Sequence, residues 1–426
     1  MNYEKTLEYI HSFNKVFCKP GLERTKELLT ALDNPEKQLK CIHVGGTNGK
    51  GSTSSMLSEI LICAGYKVGL YTSPYVKRFN ERMRINGIEI SDSELALLTS
   101  LVQNAVEKMV DKPTEFELIT AVAFEYFKHN ECDVVVLEVG LGGRLDSTNV
   151  IDTPLLSIIT GISLDHVNFL GDTVEKIAYE KAGIIKENCP VLFGGENQAA
   201  LDVICQVAKE KNAAMHVVNY NELIVQSFDL NGSTFSYNEW LNMHISLLGS
   251  YQPKNASLVL SAVDILRKRG LTISNEAVRG GLEAAKWPAR FEILRNDPIV
   301  IFDGAHNAEG IEAAVKSIKQ YFGNKKVVVM TGVLSDKDYE KIAKDISSVA
   351  KTVFTITPDN PRALDKVIYS HLFSSHGIES VPCENIETAI EYGLKVALDN
   401  DTALCCLGSL YTYASVSEIV QRTKKG

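Results

Sequence analysis

The sequence predicts an α/β protein with two domains, and three observations support this prediction. Short apolar runs alternate with helical patterns along nearly the whole chain, which is typical of a mostly parallel sheet covered by helices. A glycine-rich turn joins the first apolar run to a helical pattern. The chain has 426 residues, and a single hydrophobic core rarely serves more than roughly 250 to 300 residues. We therefore expect the chain to divide once.

Composition and charge exclude several classes of protein. Hydrophobic residues make up 45% of the chain and charged residues 23%, as in soluble globular proteins. No uncharged apolar run approaches the roughly 18 residues that a membrane helix needs, and the charged N-terminus does not resemble a secretory signal. The nine cysteines are scattered without a C-x-x-C spacing. A net charge of −9 argues against a general nucleic-acid or lipid binder. We expect a cytoplasmic protein.

Nine apolar runs predict the strands of two sheets. They cover residues 41–44, 67–72, 133–139, 155–160 and 190–194, and then 299–303, 326–333, 352–357 and 403–408. Between the two sets, residues 213–248 hold short segments and the turn pair Asn231-Gly232, which predict a small antiparallel region. We place the boundary in the segment 294–298. This gives a larger N-terminal domain, 1–295, of the P-loop type, and a smaller Rossmann-like α/β domain, 296–426.

The stretch "HVGGTNGKGS", residues 43–52, predicts a phosphate-binding loop. Backbone N–H groups and the amino end of a helix favour a phosphate chain at such a turn, and glycine lets the main chain approach it. Lys50 supplies a positive charge for the β- and γ-phosphate oxygens. The usual G-x-x-x-x-G-K-[ST] spacing fails, because Val44 occupies the first glycine position and Gly51 follows the lysine. We therefore expect Ser52, or less favourably Thr53, to reach Mg²⁺.

Polar residues at other strand ends are candidate metal ligands. Glu138 ends a buried run, so its carboxylate is expected beside the phosphate loop if the sheet is parallel. His166 follows a later strand, and on the sequence alone it is either a ligand or a structural histidine. Ser73 precedes Pro74, where it either joins a second metal ion or starts a turn. The basic run 77–84 is either an anion site or a solvated face.

The phosphate loop resembles that of the folylpolyglutamate synthase and dihydrofolate synthase family, a branch of the Mur-ligase-like ATP-dependent amide ligases. Nine further motifs lie in the family's order between residues 21 and 411: "GLERTKELL", "SPYVKRFNERMRING", "EVGLGGRLDSTNV", "LDHVNFLG", "EKAGIIK", "WPAR", "FDGAHN", "SDKD" and "GSLY"; the resemblance thus covers nearly the whole chain. The departures are Gly45 where alanine is frequent, Tyr251 where histidine is frequent, and Ala289 where glycine is usual.

The resemblance implies roles for individual residues. ATP would be held by Thr47, Asn48, Gly49, Lys50, Gly51, Ser52, Thr53, Arg290, Asp303 and Asn307. Magnesium would be held by Ser52, Ser73, Glu138, His166 and Lys181, the last as a carbamate, and a monovalent cation is a further candidate. The folate and glutamate substrates would be held by Arg82, Arg144, Asp146, His306 and Ser409. Catalysis would depend on Lys50, Arg290, His306 and Lys181.

The resemblance implies a ligase that attaches L-glutamate to a folate or dihydropteroate carboxylate through an acyl phosphate. Residues 1–295 would bind ATP and folate, residues 296–426 would form the glutamate-ligase domain, and we expect a monomer without nucleic-acid or membrane partners. A Mur-type ligase acting on a cell-wall muramyl precursor is the alternative within the same chemistry. A P-loop GTPase switch is disfavoured because "SDKD", 335–338, lacks the asparagine of N-K-x-D. An inactive scaffold is disfavoured by the combined presence of Lys50, Glu138, His166, Lys181 and Arg290.

Overall fold

The computed structural model of the protein describes residues 1–13 and 21–423. The chain divides into two compact units. The first unit comprises Met1–Leu223, Tyr237–Trp240 and Lys254–Ala285. The second unit comprises Ile224–Ser236, Leu241–Pro253 and Lys286–Gly426. The functional division at residues 295 and 296 stays a prediction.

The N-terminal half of the chain alternates strands and helices. Its strands are β1 Cys41–Gly45, β2 Val68–Tyr71, β3 Met83–Ile85, β4 Ile88–Glu89, β5 Val134–Glu138, β6 Leu156–Ile159, β7 Val191–Phe193 and β8 Met215–Val217. Its helices are α1 Tyr3–His11, α2 Glu23–Thr30, α3 Lys50–Cys63, α4 Asp92–Val106, α5 Glu115–His129, α6 Val167–Leu170, α7 Val174–Ala182 and α8 Gln198–Glu210.

The eight strands form one sheet in the order β4-β3-β2-β5-β1-β6-β7-β8. The pairs from β2 to β8 are parallel, while β3 and β4 add an antiparallel edge. Strand β1 lies in the interior, with β5 on one side and β6 on the other. From β1 the chain continues to β2, on the β5 side of β1, whereas β6, β7 and β8 extend the sheet on the other side. Ligands of open α/β sheets bind at such a switch point. The phosphate loop directly follows β1.

Burial on both faces explains why the central strands are continuous apolar runs. Strand β5 is buried along its whole length, as expected of a parallel strand covered by helices on both sides. One core contains apolar side chains of α4 and α5, and a second contains those of α7 and α8. None of the described helices has the length and apolar composition that crossing a membrane requires.

The chain then forms a small meander and two helices. These elements are β9 Leu223–Asp229, β10 Gly232–Tyr237, β11 Trp240–Ile245, α9 Gln252–Lys268 and α10 Asn275–Ala284. The three strands pair in the order β11-β10-β9, and their two-residue connections require antiparallel pairing.

The C-terminal part forms a second α/β sheet. Its strands are β12 Glu292–Asn296, β13 Ile299–Phe302, β14 Val327–Thr331, β15 Ala350–Thr355, β16 Glu379–Pro382 and β17 Leu404–Leu407. Its helices are α11 Ala308–Phe322, α12 Tyr339–Ser347, α13 Lys366–Ser375, α14 Ile386–Asp399 and α15 Tyr413–Thr423. The order is β12-β13-β17-β14-β15-β16, with β12 antiparallel and the other pairs parallel. The predicted fold class, with two α/β domains and a small antiparallel region, is confirmed.

Two local predictions were wrong. Residues 215–217 were assigned to the antiparallel region, but they pair in parallel with β7 as the edge strand β8, because helix α8 supplies the crossover that parallel strands need. Residues 294–296 were assigned to a boundary segment, but they belong to β12, which forms an antiparallel pair with β13. Both errors concern strands with polar or half-exposed side chains, whose pattern carries little signal.

Candidate active site

The loop after β1 requires glycine at two positions. Gly46 has a φ of 139°, and a Cβ there would lie 1.8 Å from Thr160 Oγ1. Gly49 has a φ of 85°, and a Cβ there would lie 2.8 Å from Asn255 Oδ1. Other residues rarely adopt these backbone angles and would also collide with the neighbouring side chains. The glycine pattern is therefore set by close packing of the loop.

Residues 160–163, which follow β6, hold this loop in place. The Thr47 N–H donates to Gly161 O at 2.7 Å, and the Thr160 hydroxyl donates to Asn48 O at 2.6 Å. The Ser163 N–H donates to Thr47 Oγ1 at 3.2 Å. Helix α3 begins at Lys50 directly after the loop, so the positive end of its dipole favours an anion there.

Two lysines converge on a single carbonyl of the loop. Lys50 Nζ donates to Gly46 O at 3.2 Å and to Thr47 O at 3.0 Å. Lys181 Nζ donates to Gly46 O at 2.7 Å. Lys181 is 5% exposed, and burial first, then the nearby Lys50 charge, lower its pKa to about 7. The structure thus brings together two predicted residues that lie far apart in the sequence.

Glu138 lies at the end of the strand beside β1, as predicted. It pairs in register with Val44, and its carboxylate is buried at 4% exposure. Its Oε2 accepts a hydrogen bond from the Ser73 N–H at 3.3 Å. Ser52 is also buried, in the first turn of α3, and so is Thr53, whose hydroxyl has no hydrogen-bond partner.

The side-chain oxygens of Glu138 and Ser52 are suitable ligands for a hard cation such as Mg²⁺. Among the described residues, no three or more His, Cys, Asp or Glu side chains form a metal-binding group. Mg²⁺ does not require such a group, because it is usually bound through one or two carboxylates, water and phosphate oxygens. A buried carboxylate at Glu138 and a buried hydroxyl at Ser52 meet that pattern.

His166 lies in a turn rather than in a strand or regular helix. It adopts left-handed backbone angles with a φ of 50° and precedes the four-residue helix α6. Its side chain is 46% exposed, and Nε2 lies 3.9 Å from Asp165 Oδ2. Asp165 in turn lies near enough to Lys181 to favour the charged form of that lysine. A role of His166 as a metal ligand stays a prediction.

Two predicted substrate residues of the first unit, Arg144 and Asp146, lie in the loop that follows β5. The buried Asp146 carboxylate accepts hydrogen bonds from the N–H groups of Leu141 at 2.9 Å and Thr148 at 3.0 Å. Arg144 pairs with Glu180 at 2.8 Å. Burial raises the pKa of Asp146, although these hydrogen bonds oppose the shift.

Arg82 lies against two aromatic rings. Its guanidinium is 5.0 Å from the ring centre of Tyr75 and 5.5 Å from that of Phe79, and its Nε has no hydrogen-bond partner. Such packing orients a guanidinium without neutralising its charge.

In the second unit, Asp303 is the centre of a hydrogen-bond network. Its carboxylate is 2% exposed. Oδ2 accepts from the Tyr251 hydroxyl at 2.9 Å and the Phe291 N–H at 3.0 Å, and Oδ1 accepts from the Ala305 N–H at 2.8 Å. Burial raises the pKa of Asp303, and the nearby Arg290 charge opposes that shift.

Of the other predicted residues of the second unit, His306 follows β13, Ser409 follows β17, and Arg290 precedes β12. Gly304 N–H donates to Ala289 O at 2.9 Å, and a Cβ at Gly304 would lie 2.6 Å from Arg290 Nη1. His306 Nδ1 lies 2.8 Å from Gly304 O, so this nitrogen carries the proton and donates. Strand β17 pairs with β13 and leads to Ser409.

Asn307 and Ser409, two further predicted residues of the second unit, cap helices. Asn307 Oδ1 accepts from the Gly310 N–H at 2.8 Å at the start of α11. The Ser409 side chain is 2% exposed and accepts from the Tyr411 N–H at 3.3 Å. Capping accounts for their local conformation, and their roles in binding ATP and glutamate stay predictions.

Sequence reasoning missed Thr160, Asn255 and the contact of Tyr251 with Asp303. Thr160 and Asn48 are separated by 112 positions, so no local pattern relates them. The only available signal was the position of Thr160 at the end of an apolar run, where polar groups of parallel sheets collect.

Comparison with known proteins defines the class first. Residues 44–263 match the Mur ligase middle domain, and residues 289–410 match the Mur ligase glutamate ligase domain. The chain is therefore an ATP-dependent ligase of the Mur ligase class.

Similar proteins narrow the class to one family. A Bacillus subtilis dihydrofolate synthase/folylpolyglutamate synthase is 42% identical over 384 residues, which cover 86% of this chain and 88% of that protein. A solved Escherichia coli FolC in complex with DHPP and ADP is 30% identical with a TM-score of 0.87, covering 100% of this chain and 99% of the other. An FPGS complex with AMPPCP and folate is 32% identical with a TM-score of 0.85, covering 100% of both chains. The chain belongs to the folylpolyglutamate synthase/dihydrofolate synthase family.

Proposed function

We propose that the protein joins L-glutamate to the carboxylate of a folate or of dihydropteroate, with conversion of ATP to ADP and phosphate. The observation that carries this proposal is the convergence of Lys50 and Lys181 on the Gly46 carbonyl, in a glycine loop beside the buried Glu138. Solved relatives with ATP analogues, ADP, folate or DHPP bound support the substrate classes.

The first step transfers a phosphoryl group. A carboxylate oxygen of the acceptor attacks the γ-phosphorus, the bond from that phosphorus to the bridging oxygen breaks, and ADP leaves. Lys50 and the amino end of α3 offset charge on the phosphate oxygens, and we assign Arg290 the same task, as the family pattern implies. Bound Mg²⁺ would neutralise further phosphate charge, held by Glu138 and Ser52 with Ser73, His166 and a Lys181 carbamate as the further predicted ligands.

The second step forms the amide. The amine of glutamate attacks the carbonyl carbon of the acyl phosphate, and inorganic phosphate leaves with the former carboxylate oxygen. The amine must first lose a proton. Because His306 donates through Nδ1 to Gly304 O, Nε2 is the ring nitrogen that would accept this proton when the ring is neutral. Ser409 is assigned to glutamate binding on the family pattern.

We also propose that Lys181 is carbamylated. Its Nζ is buried, and its lowered pKa of about 7 leaves a large neutral fraction at physiological pH. A neutral amine adds CO₂ and releases one proton, and the product is a carboxylate, which suits a Mg²⁺ site better than an ammonium. Replacing Lys181 with Ala should abolish turnover, and formate or acetate should restore part of it. Full activity of the variant without added acid would disprove this assignment.

One assay tests the function. The protein is incubated with ATP, Mg²⁺ and labelled L-glutamate, together with dihydropteroate, tetrahydrofolate or a muramyl precursor, and labelled amide is measured. We expect product with one or both pterin acceptors, and the distribution between them separates dihydrofolate synthase from folylpolyglutamate synthase activity. Product with the muramyl precursor alone, or with no acceptor, would contradict the proposal.

A further inference from the structure

The mechanism above gives no task to His43, a buried titratable residue next to the phosphate loop. His43 lies in the middle of β1, two residues before the last residue of the strand, and its side chain is fully buried. Its Nε2 lies 2.8 Å from the Thr148 hydroxyl oxygen. Its Nδ1 is buried without a hydrogen-bond partner. A polar ring in an apolar strand costs free energy unless its hydrogen bonds offset the loss of water.

Counting protons fixes the tautomer of His43. The Thr148 hydroxyl has one proton, and it donates this proton to Asp146 Oδ1 at 2.5 Å. The proton between His43 and Thr148 must therefore come from the histidine, so His43 carries its proton on Nε2. Burial lowers the pKa of His43 to about 3, and the nearby Lys186 charge acts in the same direction. The ring is thus neutral and donates to Thr148.

This series of hydrogen bonds ends at the carboxylate of Asp146, in the loop predicted to bind the substrate. Asp146 Oδ1 also accepts from the Thr148 N–H, and Oδ2 accepts from the Leu141 N–H. Asp146 therefore ties both ends of the loop that carries Arg144. Without the hydroxyl proton of Thr148, the buried carboxylate would lose one of its donors, and the loop would lose a link to the central strand.

We propose that His43 and Thr148 are positioning residues for the pterin-bearing acceptor. His43 orients the Thr148 hydroxyl, and this hydroxyl holds Asp146 and its loop in the conformation that binds the acceptor. The inference rests on the proposed function, in which Asp146 and Arg144 belong to the substrate site. It assigns to β1 a second task besides carrying the phosphate loop.

Kinetics on four variants test the proposal. Thr148→Val and His43→Leu remove the hydroxyl and the N–H with little change in volume. Thr148→Ser and His43→Gln keep them, since a Gln side-chain N–H can replace Nε2–H. We expect the first pair to raise KM for the pterin acceptor about tenfold, as for loss of one hydrogen bond to a charged group. KM for ATP and kcat should stay within about twofold, and the second pair should behave nearly as the native protein does.

A matched control separates positioning from general destabilisation. Thr99 is a fully buried threonine in α4 whose hydroxyl has no partner, so Thr99→Val should change no kinetic constant. An unchanged acceptor KM in Thr148→Val, or a parallel rise in KM for ATP, would overturn the proposal. If Thr148→Val does not fold, the comparison of His43→Leu with His43→Gln tests the proposal, again by the KM for the acceptor and the KM for ATP.

The tautomer can be tested without substrate. Long-range ¹H–¹⁵N spectra of the histidine-labelled protein report which ring nitrogen carries the proton, and the loss of one signal in His43→Gln assigns His43. We expect a neutral ring protonated on Nε2. A ring protonated on Nδ1 would contradict the network. If the native protein forms no glutamyl amide, the proposed function fails, whereas this measurement still decides the hydrogen-bond chain.

Discussion

At the scale of single residues, Tyr251 links three segments of the second unit. Its hydroxyl donates to Asp303, which also holds the backbone next to Arg290 through Phe291 and the loop before His306 through Ala305. The family often has histidine at this position, and an imidazole N–H could make the same bond. The phenol therefore replaces the usual residue with another donor to the same carboxylate.

Removing this hydroxyl should impair turnover more than stability. In Tyr251→Phe we expect kcat/KM for ATP to fall about tenfold, since a buried carboxylate loses a donor. Tyr251→His should recover most of that loss, and Tyr392→Phe, at a half-exposed tyrosine in α14, should have no effect. Steady-state kinetics with thermal denaturation of each variant provide the check. Native kcat/KM in Tyr251→Phe would show that Asp303 does not need the phenol.

Ala289 is the second residue that departs from the family. It adopts a φ of 61° and is fully buried, and its N–H donates to Glu292 Oε2 at 2.8 Å. Left-handed backbone angles cost an alanine about 1 kcal/mol relative to glycine, so the usual glycine has a conformational reason. Here the hydrogen bond and the surrounding packing hold the strained residue.

Lys186 gives the protein a pH-dependent stability. Burial lowers its pKa to about 8, and its Nζ donates to Asn149 O at 2.9 Å. Between pH 8 and 10.5 the unfolded lysine binds more protons than the folded one, so the free energy of unfolding rises with pH in this window. From pH 8 to pH 10, the native protein should gain about 2 kcal/mol relative to Lys186→Met.

Urea denaturation of both proteins at pH 8, 9 and 10 measures this difference. Subtraction cancels the groups that titrate in both proteins, and Lys209→Met, at an exposed position of α8, serves as the control. Parallel stability curves for the native protein and Lys186→Met would mean that Lys186 has an ordinary pKa.

The positions of residues at strand ends could be predicted from the sequence, whereas contacts between distant segments could not. Glu138 and Lys50 could be placed because each sits where an apolar run meets a turn. The sequence did not indicate that Lys50 and Lys181 share the Gly46 carbonyl as an acceptor, because 135 positions separate Gly46 from Lys181. Only the parallel order of β5, β1 and β6 brings such segments together.

At the scale of elements, regular buried strands were predicted and exposed ones were missed. β1, β5 and β14 are buried throughout and appear in the sequence as apolar runs. β4 has two residues, and β16 is largely exposed and polar, so neither differs in pattern from a loop. The strand β8 was assigned to the wrong sheet, since periodicity does not report the partner of a strand.

The close packing of α10 on α3 predicts how substitutions in α10 change the free energy of unfolding. A Cβ at Gly281 would lie 2.4 Å from Ile60 Cα, a backbone atom that cannot move alone. A Cβ at the preceding Gly280 would lie 3.8 Å from Cys63 Sγ, which is an ordinary contact. Gly281→Ala should therefore lower the free energy of unfolding by about 1 to 3 kcal/mol.

Gly280→Ala is the matched control in the same helix. It should leave stability unchanged or raise it by up to about 1 kcal/mol, because alanine favours helix more than glycine does. Chemical denaturation of both variants gives the comparison. Equal effects of the two substitutions would mean that the helices do not approach as closely as the structure shows.

At the scale of the whole molecule, the alternation of strands and helices was sufficient to predict two α/β domains. The order of the strands was not predictable, because each apolar run is compatible with any position in a buried sheet. The order matters for function, since it places β1 between β5 and β6 and so collects the phosphate loop, Glu138 and residues 160–163 at one edge.

In the proposed reaction, the protein activates a carboxylate as an acyl phosphate and transfers the acyl group to glutamate. An acceptor whose carboxylate carries ¹⁸O, incubated with ATP, Mg²⁺ and L-glutamate, tests this reaction. The inorganic phosphate released is then examined by mass spectrometry. We predict one ¹⁸O atom in phosphate for each amide formed. The Lys50→Ala variant should form neither the amide nor the labelled phosphate. Amide formation with no ¹⁸O in the phosphate would exclude an acyl phosphate intermediate.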